Sequence, residues 1–84
     1  MKNLNILKKK IIYRSKHRGT KEMDLLLSKF VEKYINIFSK NELFELESLL
    51  SIEDEIIYKW YLNSLSTSQI PENSVSKKLK EFKL

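Results

Sequence analysis

Apolar residues recur along this chain at intervals of three and four. Leu4, Leu7 and Ile11 form the first stripe, so a segment from about Asn3 to Lys16 is predicted as an amphipathic helix, with Lys8, Lys9 and Lys10 mostly off that stripe. It is expected to stop near Gly19, the only glycine in the chain. Met23, Leu26, Leu27, Phe30, Val31, Tyr34 and Ile37 then fall on one face of a second helix, predicted from about Thr20 to Phe38. Ser39 followed three residues later by Glu42 is a capping-box signature, which starts a third helix carrying Leu43, Leu46, Leu49 and Leu50. Ser51 before Glu53, Asp54 and Glu55 reads as another cap with acids in the first turn, where the helix dipole favours them. The fourth helix is then expected to reach about Ser64 and to bury Ile56, Ile57, Trp60 and Tyr61. Leu65 to Ile70 is rich in turn formers, and Pro71 suits the first position of a last helix with Val75, Leu79 and Phe82 on its apolar face.

No stretch alternates with period two, no repeat is present, and no linker separates domains. The expected fold is therefore all-α: one domain over 1–84, a compact bundle of about five short helices. Short connections make neighbouring helices roughly antiparallel, and the second helix is expected at the centre because its apolar face is longest. A chain of 84 residues buries only about 60% of its unfolded surface, which leaves little room for a deep catalytic cleft.

The chemistry-bearing residues narrow the classes further. With no cysteine there is no disulfide framework, thiolate metal site or cysteine nucleophile, and one histidine, His17, cannot build the usual histidine-based metal sites. There is no uninterrupted apolar run of about 18 residues and no signal-peptide pattern, so a soluble, unexported protein is expected. Charge is uneven: residues 1–21 hold eight basic and no acidic groups, residues 22–62 hold four basic and nine acidic, and residues 63–84 hold four and two. A basic end of this kind suits an acidic protein partner, a nucleic acid or an anionic membrane surface, or is simply a solvated helix face. Aromatic residues are not interleaved with the basic cluster beyond Tyr13, so stacking on bases is poorly provided for.

The segment Arg14 to Phe30 carries a recognisable pattern: Arg18-Gly19-x-x-Glu22, followed by Asp24-Leu25-Leu26-Leu27 and Phe30. With Trp60-Tyr61 on the penultimate helix and Pro71 beyond it, this resembles the succinate dehydrogenase flavinylation-factor family over most of the chain, from about Ile12 to Phe82. The resemblance implies a non-enzymatic five-helix assembly factor. Its partner would be the flavoprotein subunit of succinate dehydrogenase, and often of fumarate reductase, whose covalent attachment of FAD to its own histidine it promotes. It implies no cofactor held by this chain, since FAD belongs to the client, and no nucleic acid or stable membrane insertion. A monomer in a bacterial cytoplasm is the expected setting.

By the same resemblance Arg18, Gly19 and Glu22 are the client-contacting motif, with Arg14 and His17 beside them as further candidates. The residue types suit the task. Gly19 can take positive φ and lets another backbone approach closely, or is an ordinary helix end. Arg18 offers a planar fork of donors to a carboxylate or phosphate, or is a solvated charge. Glu22 lies in a first helical turn, where it can cap an amide, hold Arg18 or accept from the client. His17 sits among Arg14, Lys16 and Arg18, which disfavour its protonated form, and no partner is identifiable that would make it a base.

Overall fold

The computed structural model describes residues 2–63 and 70–83. Five helices follow one another: α1 Lys2–Lys16, α2 Lys21–Tyr34, α3 Lys40–Leu50, α4 Asp54–Asn63 and α5 Ser74–Glu81. No strand occurs among the described residues. The predicted turn at residues 64–69 lies outside them, as does Ser64, the expected end of α4.

Leu7 and Ile11 of α1 are buried and Leu4 packs against the core. Ser15 extends the stripe by one more turn: it is 1% exposed, and its hydroxyl donates to the Ile12 carbonyl at 2.8 Å. A serine that bonds its own helix in this way satisfies its oxygen without breaking the turn. Met23, Leu26, Leu27, Phe30 and Val31 are the buried face of α2, and Leu43, Leu46, Leu49 and Leu50 that of α3. Phe30, fully buried, is ringed by Tyr34, Phe38 and Phe82 at centroid distances of 4.9, 6.0 and 5.4 Å, so it joins α2 to the end of α5. α2 supplies the largest buried set, as expected, but the backbone packing runs through its neighbours: α1 lies against both α2 and α3, and α3 also packs on α5.

Several boundaries differ from expectation for local reasons. Thr20 is the N-cap of α2, with its hydroxyl accepting from the Met23 amide. α2 stops at Tyr34, and residues 35–38 turn back on the Val31 and Tyr34 carbonyls. That turn rotates Ile37 out of the stripe to 68% exposure and buries Ile35 and Phe38 instead. Ser51 does not cap α4. It closes α3, its amide bonding Glu47 and Ser48 carbonyls and its hydroxyl donating to Ser48 O at 2.6 Å. Pro71 precedes α5 without opening it. The N-cap is Asn73, whose side chain accepts from Ser76 N while Ser76 Oγ accepts from Asn73 N, because a short polar side chain satisfies free first-turn amides and proline has no such acceptor. Trp60 and Tyr61 are half-buried and not fully enclosed; they tie α4 to the last segment through Tyr61 Oη donating to Phe82 O, and Lys80 donating to Trp60 O while lying 4.6 Å from the Trp60 ring.

The Ser39–Glu42 capping box forms as predicted: Ser39 N donates to Glu42 Oε1 at 2.9 Å, and Glu42 N to Ser39 Oγ at 3.3 Å. Ser74 Oγ of α5 donates to the other carboxylate oxygen at 3.0 Å. The Ser39 amide first, then the Ser74 hydroxyl, hold the Glu42 carboxyl below its ordinary value of 4.5. A depressed folded-state pKa stabilises the fold above the unfolded value, and that contribution fades as pH falls through the lower folded value. Thermal melts of the wild type and Glu42→Gln should therefore differ most near neutral pH, by about 1 kcal/mol or less at this largely solvated cap, and converge in acid below pH 4.5.

Candidate functional site

The predicted motif lies where α1 turns into α2. Arg14 and Lys16 occupy the last turn of α1, where cations are favoured by the helix dipole. His17 follows. Its Nδ1 lies 2.9 Å from the Tyr13 carbonyl, which can only accept, so Nδ1 is the donor of this bond, and the residue is exposed. The ring also stacks on exposed Tyr13, with centroids 4.1 Å apart. Asp24 of α2 reaches back across the corner and accepts from Arg18 N at 3.0 Å.

The Arg18 side chain turns inward. It is 9% exposed and faces the ends of two other helices. Nε donates to Asp54 Oδ1 at 2.6 Å and Nη2 lies 2.5 Å from the same oxygen. Nη1 donates to Leu50 O at 2.7 Å and Arg14 O at 3.2 Å, and Nη2 donates to Ile52 O at 3.1 Å. These contacts occupy all five N–H donors of a guanidinium. Leu50 and Ile52 lie where α3 ends, so their carbonyls have no partner further along that helix, and the negative end of its dipole adds to the attraction.

Gly19 completes the arrangement. Its amide donates to Asp54 Oδ2 at 2.5 Å, so one carboxylate holds Arg18 through one oxygen and the chain beyond it through the other. Gly19 does not adopt positive φ. A Cβ here would stand 3.2 Å from Asp54 Oδ2, a tight contact that the carboxylate would have to yield to by a few tenths of an ångström. Thr20, Lys21 and Glu22 are exposed, and Glu22 makes no hydrogen bond or ion pair among the described residues; Asp24 and Thr20 supply the caps that Glu22 was a candidate to provide. Beside the corner, an open groove is lined by Lys16, Lys21, Asp24, Leu25, Ser28 and Glu32, with Leu25 half exposed.

The structure thus gathers Arg18 and Gly19 around Asp54, with the Arg14 carbonyl accepting from Arg18, and leaves His17 and Glu22 on the outside. Asp54 is the residue that sequence reasoning did not single out. It is legible only as a first-turn acid of α4, and nothing in the spacing pairs it with a residue 36 positions away. The basic stretch is also less free than it reads, since Lys10 pairs with Glu47 at 2.9 Å and Lys8 donates to Asn36 at 3.2 Å. Among the described residues no helix is long and apolar enough to cross a membrane, and no group of three or more His, Cys, Asp or Glu is placed to hold a metal ion.

The sequence profile of the family described as "Flavinator of succinate dehydrogenase" matches residues 9–83. The chain belongs to this family. Relatives of the flavinator family chain include the "Succinate dehydrogenase assembly factor 2, mitochondrial" of Scheffersomyces stipitis, 39% identical over 69 residues, which cover 82% of this chain and 46% of that protein. The protein of the same name from Saccharomyces cerevisiae is 41% identical over 70 residues, covering 83% of this chain and 43% of its own length. That of Candida glabrata is 40% identical over 77 residues, covering 87% and 50%. The chain thus spans about half the length of the curated relatives it matches. Each of these relatives is named mitochondrial, which overturns the expectation of a bacterial cytoplasm. The absence of cysteine could not have made that distinction, because it suits one reducing compartment as well as another. No solved structure matches the chain significantly.

The inward guanidinium sets the cost of losing it. Arg18→Ala removes the donors that Arg18 supplies to Asp54 Oδ1 and to the Arg14, Leu50 and Ile52 carbonyls and should lower stability by about 2–4 kcal/mol, whereas Glu22→Ala removes only an exposed first-turn charge and should cost about 1 kcal/mol or less. Urea titrations followed by circular dichroism would rank the two, and equal losses would contradict the inward placement.

Proposed function

We propose that this chain is a non-catalytic assembly factor that binds the flavoprotein subunit of succinate dehydrogenase, and of fumarate reductase where present, and promotes covalent attachment of its FAD. The observation that carries this reading is membership of the flavinator family across residues 9–83, in a chain whose motif corner is fixed from behind and open in front. The client holds both reacting groups, its own histidine and its FAD. The helper supplies orientation. Docked near the flavin, the α1–α2 corner holds the client with histidine and flavin aligned, and alignment alone contributes several kcal/mol to such a step.

Exposed Lys21 and Glu22, with Leu25 in the adjoining groove, form a mixed surface able to meet a protein partner. His17, exposed at the end of α1, precedes the motif. The membrane reading is disfavoured because the apolar stripe of α1 that would insert, Leu7 and Ile11, is buried in the core. The nucleic-acid reading is disfavoured because Lys10 and Arg18 are each paired to an internal carboxylate.

Co-expression of the client flavoprotein with and without this chain tests the proposal. Covalent flavin per client polypeptide, read by in-gel fluorescence, should rise with the chain present, and an unchanged ratio would overturn the proposal. Gly19→Arg should leave a helical, cooperatively melting protein that no longer supports attachment, since its side chain displaces the Asp54 contact and covers the corner. Duplex DNA should bind no better than about micromolar near physiological salt and lose affinity steeply as salt rises. Salt-resistant, sequence-specific binding would instead favour a nucleic-acid role.

A further inference from the structure

We infer that Asp54 is a positioning residue of the client-docking corner, and that Arg18 serves the motif through Asp54 without touching the client. This rests on the flavinylation-helper reading and deepens it. Arg18 has no donor left for a partner, because its five N–H groups are spent on Asp54, Arg14, Leu50 and Ile52. Its charge is met in place by a carboxylate that is itself only 19% exposed.

Asp54 is the single group that joins the buried arginine to the exposed backbone. Oδ1 receives the guanidinium and Oδ2 receives the Gly19 amide, so the place of Gly19 follows from the place of Asp54. Asp54 is in turn set by the first turn of α4, whose dipole favours its charge. Without the carboxylate, Gly19 is held only by its chain neighbours. Its corner must then be ordered when the client binds, a cost that preorganisation removes. Asn is not a neutral replacement: its amide nitrogen would face either the guanidinium or the Gly19 N–H, a donor against donors.

The test uses the full chain and the client flavoprotein subunit. Asp54→Ala, Arg18→Ala, the double variant and Asp54→Glu are compared with Val75→Ala, which opens a cavity under α5 at a fully buried position and destabilises without touching the corner. Binding is measured at a temperature where melting curves show every variant folded. Asp54→Ala should bind client at least about tenfold more weakly, with covalent flavin falling in parallel. Val75→Ala, at equal or greater loss of melting temperature, should stay within about twofold. Asp54→Glu, which keeps the charge, should recover part of the loss, and the double variant should be no weaker than the worse single one. Should Asp54→Ala fail to fold, Asp54→Asn is read by the same criteria. Near wild-type binding by folded Asp54→Ala or Asp54→Asn would overturn the inference, as would losses that multiply in the double variant, because Arg18 would then have a contact of its own. A wild-type chain that fails to raise covalent flavin would overturn the helper reading instead.

Discussion

The guanidinium of Arg18 determines how three parts of this small bundle meet. It binds the carbonyls where α3 ends, the carboxylate where α4 begins and the last turn of α1. Helix ends carry unpaired polar groups, and in a short bundle they crowd together at the same pole. One planar cation with five donors satisfies several of them at once. An ion pair this far from solvent adds little net stability over apolar residues of the same shape, yet removing one partner costs heavily. Its contribution is chiefly geometric: it fixes where the chain leaves α1 and where it enters α2.

That geometry accounts for the residues beside it. The amide of Gly19 is bonded to Asp54, and a Cβ at this position would press on the same carboxylate. Asp24 holds the preceding amide and Thr20 caps the following helix, so the corner has a partner for each exposed turn of backbone. With these roles filled, Glu22 is left on the surface. The motif is thus divided between residues that build the corner and residues that remain outside it. For the proposed client-docking role, a corner already ordered in the free protein binds without first losing conformational freedom.

The charge distribution has the same two-sided character. Residues 1–21 contain eight basic groups and no acid, but the acids of the middle segment fold back onto them: Glu47 against Lys10, Asp54 against Arg18. Lys9, Lys16 and Lys21 remain exposed. The surface offered is therefore a patchwork in which positive charge alternates with Asp24, Glu32 and Leu25 along the groove, and it suits a shaped protein partner better than a uniform polyanion.

By itself the sequence determined the five helices found among the described residues, most of the buried faces of α1 to α3, and where one cap lies. These depend on neighbours three or four positions apart, and such spacing is visible in the chain. The motif was equally visible, as a run of residue types. The ends of the helices were less so: Ile37 left its stripe when a turn closed on Tyr34, Ser51 closed α3 and did not cap α4, and Asn73 took the capping place ahead of α5 that Pro71 could not fill. Only the tertiary structure decided that Arg18 faces inward and that Asp54 belongs to the same site. The physical reason is range. A helix pattern is enforced by contacts within one turn, whereas the partner of a buried charge is whichever group the packing of separate helices brings within about 3 Å, at any distance along the chain.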